Sequence, residues 1–149
     1  METGRIKHSR ALILGGTRGL GRAIAIELLS QGTTPIIVGR SVEEAKKDTA
    51  LFGAEFIKAD LADPRCAELV MNAVFSTSTQ APSTFYWVAG EYHRGLFAEQ
   101  SAEKMTSMFA THLLGPLAVL REFHAVAKNQ PRKAPYNLVV IASVFVHKP

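Results

Sequence analysis

A short apolar run, Ala11-Leu12-Ile13-Leu14, breaks directly into Gly15-Gly16-Thr17-Arg18-Gly19-Leu20-Gly21, and no other feature limits the fold as tightly. Consecutive apolar residues ended by glycines suit a strand buried on both faces rather than an alternating, half-solvated one. From Gly19 to Ser30, the apolar Leu20, Ala23, Ile24 and Leu28 recur at spacings of three and four, the period of a helix, and Gln31-Gly32 is a stop signal. A strand that turns through glycines into a helix presents unbonded N–H groups and the positive end of the helix dipole at the turn. The glycines permit positive φ and close backbone approach to a pyrophosphate, so residues 15–21 read as a dinucleotide-binding loop. With Gly15, Gly19 and Gly21 as key positions, the spacing is GxxxGxG rather than GxGxxG.

The strand-then-helix alternation continues. Ile36-Ile37-Val38 after Pro35 reads as a second buried strand, and Ser41 as the N-cap of a helix ending near Gly53, with Glu43 and Glu44 in its first turn. A third strand is expected at Glu55 to Ala59. Asp63-Pro64 has the form of an N-cap followed by proline at the first helical position, opening a helix through Leu69, Val70 and Val74. Thr84 to Ala89 reads as a fourth strand, and 91–100 as the longest irregular connection. Ser101 is placed to cap a long helix through Met105, Met108, Phe109 and Leu113, which Gly115-Pro116 should weaken or kink. Leu138 to Ala142 reads as a fifth strand. Five such alternations imply βαβ units: an α/β, three-layer, Rossmann-like doubly wound parallel sheet with helices on both faces. Ligands in such sheets bind beyond the carboxyl ends of the strands, where the strand order reverses.

At 149 residues the chain has the size of one domain, so 1–149 is expected to form a single unit. Charged residues make up 20% and hydrophobic ones 47%, which excludes a disordered, fibrous or coiled-coil chain. The net charge of +4 is spread along the sequence, which suits small anionic ligands rather than nucleic acid. A lone cysteine, Cys66, forms no intramolecular disulfide, and no Cys/His spacing suggests a metal. With no apolar run long enough for a signal core or a membrane span, a cytoplasmic location is expected.

The stretch LGGTRGLG (14–21) resembles the TGxxxGxG loop of the short-chain dehydrogenase/reductase family. Further segments match that family in order: IIVGR (36–40), KADL (58–61), WVAG (87–90) like its NNAG element, THLLGPL (111–117) like its NxxGPL, and LVVIASV (138–144) like the strand ending at its catalytic serine. The resemblance implies hydride transfer between a nicotinamide cofactor and a small-molecule carbonyl or alcohol substrate. It implies further that Asp60 and Leu61 flank the adenine and that Ala89-Gly90 gives the cofactor close backbone access. Asp60 has a second reading, as the cap of the turn before Asp63-Pro64. Ser143 aligns with the serine that holds the substrate oxygen. His112 replaces the family's relay asparagine, either as a modified relay or as a helix histidine bound to a backbone partner.

Cofactor preference follows from charge. The position where an NAD site carries an acidic residue is here Gly39-Arg40, and an arginine there pairs with a 2′-phosphate, as does Arg18 from within the glycine loop. NADP(H) is therefore expected over NAD(H). The family's catalytic tyrosine, with a lysine four residues on, has no match: Tyr86, Tyr92 and Tyr136 are followed at that spacing by Gly90, Leu96 and Val140. The family spacing puts the pair beyond Pro149, so the sheet is expected to be truncated after its fifth strand and the domain incomplete at its C-terminus. Two readings stand: the N-terminal portion of an NADP(H)-dependent oxidoreductase, or a catalytically inactive NADP(H)-binding sensor or interaction module. An uncovered sheet edge further predicts a homo-oligomer.

Overall fold

The apolar run at 11–14 is the middle of a five-stranded parallel sheet in a computed structural model that describes residues 9–91, 97–130 and 136–142. The strands are β1 (Arg10–Leu14), β2 (Thr34–Gly39), β3 (Glu55–Lys58), β4 (Thr84–Trp87) and β5 (Asn137–Val140), ordered β3-β2-β1-β4-β5. The helices are α1 (Gly19–Ser30), α2 (Val42–Ala45), α3 (Cys66–Ser76), α4 (Ala102–Phe109) and α5 (Gly115–Ala127). The doubly wound, Rossmann-like α/β architecture is thus the one the alternation implies. Among the described residues no helix is long and apolar enough to cross a membrane.

Alternation along the strands sorts the core into two layers. Leu12, Leu14, Ile36, Val38 and Phe85 face α3 and α5, packing with Val70, Val74, Val119 and Phe123. Ile13 and Ile37 face the other way, against Ala25 of α1 and Leu51. Each of these fully buried aliphatic side chains contributes on the order of 1.5–3 kcal/mol. Phe85 and Phe123 meet at a tilt of 56° with ring centroids 5.4 Å apart, and Tyr136 meets Phe123 edge-on at 4.9 Å, tying β4, α5 and the approach to β5 together.

Pro35 lies inside β2 rather than ahead of it. Thr34 donates its N–H to the Ser9 carbonyl on the β1 side, so the next backbone nitrogen points toward β3, whose pairing begins only at Ile36. Proline's missing N–H therefore removes no ladder bond.

Three helix expectations are corrected. The helix after β2 ends at Ala45 instead of running to Gly53, because Asp48 accepts from the Ala50 N–H to start a separate 3₁₀ turn (Thr49–Leu51) and also pairs with Arg22 of α1 at 2.5 Å. Ser41 makes no side-chain cap there. Asp63-Pro64 forms a turn ahead of α3, in which Asp63 accepts from the Arg65 N–H, and the helix starts at Cys66. Ser101 does cap α4, but the long helix passes through a π-helical segment (Ala110–Leu114) before Gly115-Pro116 begin α5. A Cβ at Gly115 would run into the Leu61 carbonyl oxygen, so glycine is what lets the helix lie on the loop after β3.

Candidate functional site

Beyond the carboxyl ends of the strands lies an open crevice of about 430 Å³. After β3 the chain returns past β1 to place β4 on its other side, so the crevice stands where the strand order reverses. Gly15 (φ +90°) ends β1, and a Cβ there would stand 2.6 Å from the Ala89 Cα, so only glycine lets the ends of β1 and β4 meet. A Cβ at Gly21 would collide with the Gly15 carbonyl, which is why α1 can begin so close to the turn. No described side chain caps α1 and its first turn holds no acidic residue, leaving its N-terminal N–H groups and positive dipole end for an anion.

Of the sequence-predicted residues, Gly15, Thr17, Arg18, Leu20, Gly21, Arg40, Asp60, Leu61, Ala89 and Gly90 line this one crevice. Gly16 and Gly19 do not. Gly16 packs on Ile37, whose Cγ2 a Cβ would approach to 2.9 Å, and Gly19 takes φ +55° in open space. Asp60 fills its turn-capping role, its Oδ1 accepting from the Ala62 N–H at 2.9 Å, while it also lines the crevice. His112 sits behind the lining, its ring 3.0 Å from where a Gly90 Cβ would be. Its Nε2 lies 2.6 Å from both the backbone nitrogen and the carbonyl oxygen of Glu91, so either tautomer has a backbone partner. Ser143 lies outside the described residues.

Thr111 and Glu91 are among the lining residues that the sequence reading did not assign to the site. Thr111 is 7% exposed, and its hydroxyl has no hydrogen-bond partner among the described residues. Its place beside His112 in THLLGPL was the available signal. Glu91, first residue of the irregular connection, carries a carboxylate that pairs with Arg40 Nη1 at 2.5 Å. Cys66 is a packing residue: burial raises its thiol pKa, and the sulfur lies under the Gly115 carbonyl.

The topology and the placement of the crevice define a doubly wound α/β protein of the nucleotide-binding type. The model of the short chain dehydrogenase family matches residues 9–149, and the chain belongs to that family. It is similar to chlorophyll(ide) b reductase of Oryza sativa subsp. japonica, 28% identical over 81% of this chain and 38% of the relative. A 3-ketodihydrosphingosine reductase of Cryptococcus neoformans is 34% identical over 68% of this chain and 32% of its own length. The chain therefore spans about a third of these curated relatives. Among solved structures, the 3-oxoacyl-[acyl-carrier protein] reductase of Brucella melitensis in complex with NAD superimposes with a TM-score of 0.76 at 25% identity, over 92% of this chain and 56% of that one.

Proposed function

We propose that residues 1–149 act as one dinucleotide-binding unit of an NADP(H)-dependent oxidoreductase acting on small-molecule carbonyls or alcohols. The observation that carries the reading is Arg40, which follows β2 and lines the same crevice as Arg18 and the glycine turn. A guanidinium there pairs with a ribose 2′-phosphate, whereas the diol of NAD(H) calls for a carboxylate at the end of β2.

The residues present fit the group. The turn at Gly15 and Gly21 is a cradle that side chains would fill, and the uncapped start of α1 faces it for the pyrophosphate. Leu61 and Asp60 flank the adenine end, and the unpartnered Thr111 hydroxyl supplies a buried polar atom for the nucleotide. Ala89 and Gly90 give backbone access, with His112 holding the Glu91 backbone beside them. Ser143 orients the substrate oxygen, as in the family. When bound, the cofactor supplies or accepts the hydride at the substrate carbon.

Equilibrium titrations with NADPH and NADH test this. NADPH should bind more tightly, and Arg40→Gln should weaken it roughly tenfold to a hundredfold, the loss expected when a charged hydrogen bond of about 1.5–3 kcal/mol disappears. Equal affinity for both cofactors, untouched by the substitution, would refute the reading.

The second reading is a cofactor-binding sensor or interaction module. NADPH oxidation across a panel of carbonyl compounds separates the two, because a module binds the cofactor without consuming it.

A further inference from the structure

Arg40 follows β2 and Glu91 follows β4, and β1 lies between these two strands in the sheet. Their ion pair of 2.5 Å therefore spans the carboxyl end of β1, where Gly15 opens the glycine turn, and both residues line the crevice. The partners are unequally held. The Glu91 side chain is 12% exposed, against 53% for Arg40. Behind it, the Glu91 backbone is fixed by His112 Nε2, 2.6 Å from both its nitrogen and its carbonyl oxygen. A carboxylate largely withdrawn from water on a pinned backbone stays in place. A half-exposed guanidinium on a long flexible stem is the member free to change partners.

We propose that Glu91 is a built-in competitor for the cofactor's 2′-phosphate: it holds Arg40 across the crevice until that phosphate displaces it, and so sets how sharply the site separates NADP(H) from NAD(H). The inference rests on the reading of Arg40 given under Proposed function. A phosphate carries more charge and more acceptor oxygens than a carboxylate and takes the guanidinium from it. A neutral 2′-hydroxyl has no such claim, so with NAD(H) the Arg40–Glu91 pair persists. Once displaced, the Glu91 carboxylate faces a like-charged phosphate across the mouth of the crevice, which weakens NADP(H) binding. Neutralising Glu91 removes both the competition and the repulsion, and both effects fall on the phosphorylated cofactor.

Four forms of the chain test this by titration with NADPH and NADH: wild type, Glu91→Gln, Arg40→Gln and the double variant. Glutamine keeps the size of the side chain and leaves the backbone contact with His112 intact. The expected result is that Glu91→Gln tightens NADPH about fivefold or more while NADH changes less than about twofold, the scale of one charge pair. In the Arg40→Gln background, removing the Glu91 charge should retain only the part of that effect due to repulsion, because the competition has no object. An unchanged NADPH-to-NADH ratio in Glu91→Gln overturns the inference. Should Glu91→Gln unfold, as thermal melting would show, Glu91→Asp serves instead: its shorter reach should loosen the pair and shift the ratio in the same direction. The two failures are distinguishable. NADPH binding that depends on Arg40 but not on Glu91 defeats this inference alone, whereas binding that is absent or indifferent to Arg40 defeats the cofactor reading and this inference with it.

Discussion

β1 and β5 are written in the same alphabet, yet they live differently. Leu12, Ile13 and Leu14 of β1 have no exposed surface, whereas Leu138 and Val140 of β5 remain 46% and 48% exposed. β1 has a paired strand on either side and helices over both faces; β5 pairs only with β4 among the described strands. Burial is thus conferred by the layers around a strand, not by the strand's own hydrophobicity. The contrast also explains where the site lies. A crevice needs walls that do not yield, and Gly15, Gly39 and Ala89 extend from the three most enclosed strands, β1, β2 and β4.

The contrast can be broken most forcefully from the centre. Phe85→Ala removes a fully buried ring that packs at a tilt against Phe123 and pairs, through its strand, with Leu12. It should cost about 3–5 kcal/mol, read from the midpoint of urea unfolding. Next comes Gly15→Ala, which combines a positive φ with a Cβ that meets Ala89. A loss of roughly 1–3 kcal/mol is expected, with a fall in NADPH affinity that exceeds the stability effect in proportion, since the displaced backbone is the floor of the crevice. At the edge, Val140→Thr should change stability by less than about 0.5 kcal/mol. A cost like that of Phe85→Ala would show that β5 is as enclosed as β1 in solution.

The smallest effect is electrostatic. The hydrogen bond from Arg22, then that from the Ala50 N–H, hold the Asp48 carboxyl below its ordinary pKa of 3.8. A depressed native value means that this contact stabilises the fold above the ordinary value and stops doing so as pH falls through the lowered one. Asp48→Asn should therefore narrow its difference from wild type on the acid limb of a pH–stability curve and leave the neutral limb parallel. Exposure keeps the effect slight.

Much of this was legible before any coordinates. The strand, glycine turn and first helix are specified within twenty-odd residues, and α1 spans Gly19–Ser30 as its periodicity indicates. What sequence could not show was anything decided by a distant neighbour. The break after α2 depends on Asp48 finding Arg22, and the glycine of Gly115-Pro116 answers to the Leu61 carbonyl rather than to helix propensity. Nothing local to Arg10 in the sequence marks its role. In the fold its side chain is 10% exposed and grips Glu55 through two nitrogens while donating to Val74 and Thr77, locking the amino ends of the strands opposite the crevice. The candidate site was read by position, and its glycine turn and strand ends do converge. Its charge pairing was missed, because Arg40 and Glu91 are brought together only by the reversal of strand order.

That reversal bears on how the chain reaches its folded state. β1 meets β2 across a single helix, but its ladder with β4 aligns Ala11 with Thr84 and closes only after two further strands have been laid down. Loop closure of that span is the costly step in such a topology, and the contact of Gly15 with Ala89 does not exist until it is done. A nucleotide that binds only the closed form then adds its binding energy to that closure. Chains matured in the presence of their ligand should populate the completed sheet more fully than chains left without it, so supply of the small molecule and yield of folded protein become one equilibrium.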